Sequence, residues 1–365
     1  MSSEFETYQN VGEEWSPIHL GRGSLHTLPD ILKEHDFDRL FVITDGVVHR
    51  IHGKKLEGVL SGFEHHTVTF PSGESSKALH TFEKLAEELL DKGITMRSLL
   101  LASGGGVAGN IGGFLAATLF RGIPFGHIPT TFQAQTDSTL SRKQALNCNG
   151  KNLIGCFYSP LFTLSDTDFL STEPRRSLLA GIAESIKNAI ISDEPFYHYL
   201  DEHLSPDVVD DAEKLHDLVQ RSILTKLAIL RHDPSEKKDA IILEYGHTVA
   251  HALETVAPDR FTHGECVGIG MVFNARLAVR LGLLKKEDET AAENLLMRLD
   301  LPVRLPEDIP ADLLLEAMRR DNKRRGEGIE FVLLEKTCRP HYSPTGYCRP
   351  VSDEKILACL EECRS

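Results

Sequence analysis

Ser98-Leu99-Leu100-Leu101-Ala102-Ser103-Gly104-Gly105-Gly106-Val107-Ala108-Gly109-Asn110 decides the fold. A short apolar run bounded by a glycine turn reads as a buried strand, and the residues after the glycines open a helix. The same alternation extends outward. Leu40-Phe41-Val42-Ile43-Thr44-Asp45, His66-Thr67-Val68-Thr69-Phe70 and residues 125–129 read as further strands. Residues 77–92 show helical spacing, with leucines at 79, 85, 89 and 90. Strands alternating with helices imply a parallel sheet covered on its faces. From about residue 176 the pattern turns helical, over 176–191, 209–232, 239–257, 264–282, 286–299 and 310–320. The chain therefore reads as an α/β domain over residues 1–175 and an α-helical domain over residues 176–365, with a cleft between them.

The composition is ordinary for a globular protein: 365 residues, 41% hydrophobic and 26% charged. No apolar run approaches 18 residues, so no membrane span is expected. The first 15 residues are polar and acidic and lack the basic start and apolar core of a signal peptide, which predicts a cytoplasmic protein. The seven cysteines, at 148, 156, 266, 338, 348, 359 and 363, include no CxxC pair, which argues against a disulfide framework or a thiolate metal site. A net charge of −14 argues against general nucleic-acid binding. It leaves room for a small anionic ligand held by local cations. The run Arg319-Arg320-Asp321-Asn322-Lys323-Arg324-Arg325 is the main basic cluster.

Gly105 and Gly106 stand where a strand passes into a helix, so backbone amides there can face a diphosphate. The spacing is not GxGxxG, and a structural turn is the competing reading. Two features favour a nucleotide. Asp45 ends a strand, where an acid can hold ribose hydroxyls. Thr130 and Thr131 follow another strand and offer hydroxyls at the same sheet edge.

Gly246-His247-Thr248-Val249-Ala250-His251 and His263-Gly264-Glu265 carry the second signal. His247 and His251 share one helix face at a spacing of four. With Glu184, two histidines and one carboxylate suffice for a catalytic metal site, because three protein ligands leave a coordination position open.

Assembled in order, these motifs resemble the sugar phosphate cyclases, the family of 3-dehydroquinate synthase. The resemblance runs through Pro71-Ser72-Gly73-Glu74-Ser75-Ser76-Lys77, the glycine turn, Phe120-Arg121-Gly122, Pro129-Thr130-Thr131, Lys151-Asn152-Leu153-Ile154-Gly155, Glu184 and both histidine motifs. It implies a Rossmann-like N-terminal domain, NAD, a divalent metal (zinc or cobalt), a sugar phosphate substrate and a homodimer. It implies that Glu184, His247 and His263 hold the metal. Asp45, Glu74, Lys77, Gly105, Gly106, Asn110, Thr130, Thr131 and Lys151 would hold NAD. Lys143, Lys187, Lys226, Glu244 and His251 would act on substrate, with Arg121 (from the partner subunit), Asp137, Asn152 and Lys323 binding it. His251 reads either as a phosphate contact or as a further neighbour of the metal. Glu265 reads as structural or as a support to the metal ligands. Each lysine alone would pass for a solvated surface charge.

The departures narrow the substrate. Dehydroquinate synthases have an acid at Asn110, Gly-Gly-Lys at Ser141-Arg142-Lys143, an arginine for the substrate carboxylate at Ala240, and usually asparagine at Glu244. Alanine cannot pair with a carboxylate and glutamate repels one. Residues 137–147 and Leu243-Glu244-Tyr245-Gly246-His247 instead resemble the 2-deoxy-scyllo-inosose synthase branch, from which Arg142 departs. That branch implies carbocyclisation of glucose 6-phosphate: transient oxidation at C4, loss of phosphate from C6, reduction back at C4 and ring closure. Other readings stay open: a 3-dehydroquinate synthase or a cyclase of another sugar phosphate, a metal-dependent NAD alcohol dehydrogenase, or a binding module without turnover.

Overall fold

The computed structural model describes residues 5–11, 14–231, 233, 234, 236, 238–320, 328–344 and 346–364. They divide into two compact units, residues 1–173 with 212–223, and residues 174–211 with 224–365.

The first unit is built on a seven-stranded sheet. Its strands are β1 (Phe5–Val11), β2 (Glu14–Gly21), β3 (Leu40–Asp45), β4 (His65–Phe70), β5 (Leu99–Gly104), β6 (Phe125–Pro129) and β9 (Phe162–Asp166), in the order β1-β2-β9-β6-β5-β3-β4. β1 pairs antiparallel with β2, and every other pairing is parallel. Helices α1 (Leu28–Lys33), α2 (Gly46–Val59), α3 (Leu79–Asp91) and α4 (Gly106–Thr118) connect the strands, and β7 (Lys143–Leu146) and β8 (Ile154–Phe157) form a separate hairpin. Side chains of a strand alternate between faces, and a doubly covered sheet buries both. Phe41, Ile43 and Leu100 accordingly join Ile111 and Leu115 of α4 in one core. Leu40, Val42, Leu99 and Leu101 join Leu28 and Leu56 in the other.

The strand order reverses between β3 and β5, the position at which open α/β sheets bind ligands beyond the strand ends. Register aligns Thr44 with Ser103 and Gly104 with Pro129. Asp45, the glycine turn and Thr130-Thr131 therefore meet at one sheet edge.

The second unit is mainly helical: α5 (Arg175–Ser192), α6 (Glu194–His203), the end of α7 (Ala212–Leu230), α8 (His247–Val256), α9 (His263–Arg280), α10 (Lys286–Met297), α11 (Ala311–Arg319) and α12 (Asp353–Glu362). Two small antiparallel pairs accompany them, β10 (Ile329–Val332) with β13 (Cys348–Val351) and β11 (Leu334–Lys336) with β12 (Arg339–Pro340). Every residue of α9 from 264 to 278 is buried, so α9 is the axis of this unit. It starts at a capping box in which Thr262 and Glu265 satisfy each other's backbone amides.

The single helix expected over 239–257 is broken into a 3-10 turn (Asp239–Glu244) and α8, because Gly246 adopts φ 79°. The described cysteines are all free thiols. No helix among the described residues is long and apolar enough to cross a membrane.

Candidate functional site

In the second unit, α5, α8 and α9 each deliver one side chain to a common point. One ligand atom each of Glu184, His247 and His263 lies within 4.8 Å of the others. Oε1 of Glu184 stands 3.4 Å from Nε2 of His247 and 3.2 Å from Nε2 of His263. Close backbone packing sets this convergence. A Cβ on Gly264, next to His263, would fall 1.8 Å from the carbonyl oxygen of Ala180, one turn before Glu184. Gly246, immediately before His247, lies against Gly270 of α9, where a Cβ would fall 2.0 Å from its carbonyl oxygen. Neither close approach tolerates a side chain.

The other ring nitrogens face outward from the cluster. Nδ1 of His247 lies 3.2 Å from the Tyr245 carbonyl, and Nδ1 of His263 lies 3.0 Å from Oε1 of Glu254. Both Nε2 atoms are thereby turned toward Glu184, as two nitrogen ligands and one oxygen ligand of a divalent cation require. Burial alone would raise the Glu184 carboxyl, but Lys187 and then His247 outweigh it and hold it well below the usual carboxylate range. Burial takes His247 down to about 4, with Lys187 adding to the effect and Glu184 opposing it. His263 is also disfavoured by burial, yet hydrogen bonds to Glu184 and Glu254 override this and push it up.

Lys187, His251 and Glu244 lie beside this cluster. Nζ of Lys187 is 2.6 Å from Oε2 of Glu184. The His251 ring lies edge-on to His247, 5.5 Å between centroids. Glu244 is close enough to raise the His247 imidazole, although it lies before the break at Gly246 rather than on α8. Lys226 is buried on α7. Ala240 is buried, and its amide donates to Oδ2 of Asp233 at 3.1 Å. Glu265 is structural: besides the capping box it takes two hydrogen bonds from Arg176, at 2.7 and 2.8 Å. Glu254 is the residue that sequence reasoning missed. Its signal is the spacing 247, 251, 254, which places all three on one face of a helix.

The first unit carries the nucleotide candidates. Asp45 caps α2 through Oδ1, which accepts from Val47 and Val48 at 2.9 and 3.1 Å and from Ser72. Gly105 is the N-cap of α4, and Gly106 is its first residue. The amide of Thr130 donates to the Gly104 carbonyl at 2.9 Å, and Thr131 lies beside Gly105. The buried Lys77 bonds the side chain of Asn152, and Asn147 bonds Glu74 at 2.8 Å. Asn110 donates to Gly106 O and accepts from the Ala145 amide, both at 2.9 Å, and so ties α4 to β7.

Two family models match this chain in succession: the 3-dehydroquinate synthase N-terminal model over residues 67–180 and the C-terminal model over residues 181–324. The chain belongs to the 3-dehydroquinate synthase family, the sugar phosphate cyclases. A 3-dehydroquinate synthase of Syntrophotalea carbinolica is 38% identical over 328 residues, covering 88% of this chain and 90% of its own length. A 2-deoxy-scyllo-inosose synthase of Streptoalloteichus tenebrarius is 37% identical over 340 residues, covering 91% and 88%. A crystal structure of 2-deoxy-scyllo-inosose synthase with carbaglucose-6-phosphate, NAD+ and Co2+ superposes with a TM-score of 0.92 at 30% identity, covering 98% of this chain and all of that one.

Within this cyclase, the remaining predicted residues lie as follows. Lys143 opens β7 and is half-buried, and Asp137 lies in a single π-type turn (Ala134–Ser138). Lys151 is exposed on the loop before β8. Arg121 is exposed in a turn where Phe120, Arg121 and Gly122 all take positive φ, at 51°, 69° and 128°. Lys323 lies outside the described residues.

Proposed function

We propose that this cyclase converts glucose 6-phosphate to 2-deoxy-scyllo-inosose with loss of phosphate, a carbocycle suited to aminoglycoside antibiotic synthesis. The observation that carries the reading is the pair Ala240 and Glu244. A buried methyl group stands where a carboxylate clamp would be, and an acid lies close to His247. A substrate carboxylate would find no cation at 240 and repulsion at 244. An uncharged sugar ring bearing one phosphate avoids both costs.

Glu184, His247 and His263 would hold the divalent cation, zinc or cobalt, which as a Lewis acid polarises neighbouring substrate oxygens. Asp45, Glu74, Lys77, Gly105, Gly106, Asn110, Thr130, Thr131 and Lys151 would hold NAD, whose chemistry would be reversible hydride exchange. The chain's own groups do the rest. Lys143, Lys187, Lys226 and His251 supply donors and positive charge to substrate and phosphate, since a phosphate dianion needs several charge-assisted hydrogen bonds. Asp137, Asn152 and Lys323 orient the sugar. Arg121, in its strained exposed turn, reaches a phosphate in the partner subunit of a homodimer. Glu244 carries a proton at the reacting carbons, while the departing phosphate serves as its own base.

The test is incubation with glucose 6-phosphate, NAD+ and Co2+. Inorganic phosphate should appear without accumulating NADH, and a chelator should abolish it. Accumulation of NADH in step with substrate consumption would instead mark a dehydrogenase.

A further inference from the structure

The two histidines of the metal cluster are supported differently. His247 Nδ1 faces a backbone carbonyl, that of Tyr245, at 3.2 Å. His263 Nδ1 faces a carboxylate, Oε1 of Glu254, at 3.0 Å. The Glu254 side chain is 5% exposed, so it is not a solvated surface acid. It sits on α8 two turns beyond His247, so one helix provides a ligand at 247 and reaches across to the ligand of α9.

We propose that Glu254 is a positioning residue for the metal. Its carboxylate accepts a hydrogen bond from Nδ1–H of His263, fixes the tautomer in which Nε2 is the bare donor, and holds the ring plane toward Glu184. A carboxylate in this role also makes the imidazole a stronger donor, and losing such a partner costs about 10–100-fold in metal affinity. The inference rests on reading Glu184, His247 and His263 as the ligands. A purely structural role, joining α8 to α9, would leave metal affinity unchanged.

The experiment is Co2+ titration of the full chain against a competing chelator, for wild type, Glu254→Gln, Glu254→Ala and His263→Ala. Glutamine keeps an acceptor oxygen but loses the charge, so Co2+ binding should weaken by about tenfold. Alanine loses both, and binding should weaken toward about a hundredfold. The d–d absorption of bound cobalt should shift more in the alanine variant. Glutamine is near-isosteric with glutamate and carries the test if the alanine variant does not fold. Wild-type affinity in either Glu254 variant, or an alanine variant no weaker than the glutamine one, overturns the proposal. His263→Ala separates the two levels. Loss of Co2+ there with unchanged binding in the Glu254 variants sinks only the role of Glu254. Undiminished binding in His263→Ala sinks the ligand assignment and the inference with it.

Discussion

The Lys187 ammonium lies 2.6 Å from Oε2 of Glu184, less than one turn along α5, and both side chains are almost wholly buried. Lys187 is therefore the standing counter-charge of the cluster as well as a candidate substrate contact.

Removing one member of a buried ion pair leaves the other uncompensated, at a cost of about 3 kcal/mol or more. Lys187→Met should lower stability by that order in the presence of a chelator. Added Co2+, by compensating Glu184, should recover part of the loss. Urea unfolding with and without Co2+ measures both. Equal stability of wild type and variant under chelation would show that the pair is not what neutralises Glu184.

Glu244 belongs to the 3-10 turn before α8, and it raises the His247 imidazole through space. Glu244→Gln keeps the shape and removes the group proposed as proton carrier. Turnover of glucose 6-phosphate should drop by about a hundredfold or more, the range for a general acid–base group. Metal and NAD should stay bound. Turnover equal to wild type would make Glu244 a surface charge.

His127 on β6 is fully buried between Phe125 and Gly109, and neither ring nitrogen has a hydrogen-bond partner among the described residues. Burial takes its pKa from 6.5 to about 3. Between those values the unfolded chain binds the proton and the folded chain does not. Stability is therefore full above about 6.5 and falls on acidification by about 1.36 kcal/mol per pH unit. His127→Leu should remove roughly 2 kcal/mol of the stability lost between pH 7 and pH 5. Urea unfolding at the two pH values checks this, and the same pH dependence in both proteins would contradict it.

The parts of this molecule that obey a simple period are legible in its sequence. β3 and β5 are apolar on both faces, as a covered parallel sheet demands, and the glycine turn after β5 marks the switch point. The candidate ligands Glu184, His247 and His263 are legible because two histidines and one carboxylate make a three-ligand set, and Gly246 and Gly264 stand where backbones pack closely. The helix phase around Glu244 is not legible. An unbroken apolar pattern hides a positive φ at Gly246, so counting three residues along a helix misplaces Glu244 relative to His247. Glu254 is hidden for another reason. A glutamate on a helix reads as solvated until the neighbouring helix that buries it is known. The small strands β10 to β13 are too short for any alternation to show.

The most direct measurement is kcat/KM for phosphate release from two substrates side by side, glucose 6-phosphate and the carboxylated heptulosonate phosphate of dehydroquinate synthases. A carboxylate buried beside Glu244 with no cation at Ala240 costs several kcal/mol, so glucose 6-phosphate should be preferred by about a thousandfold or more. Faster reaction of the heptulosonate would contradict the reading of positions 240 and 244 and make this chain a dehydroquinate synthase with an altered clamp.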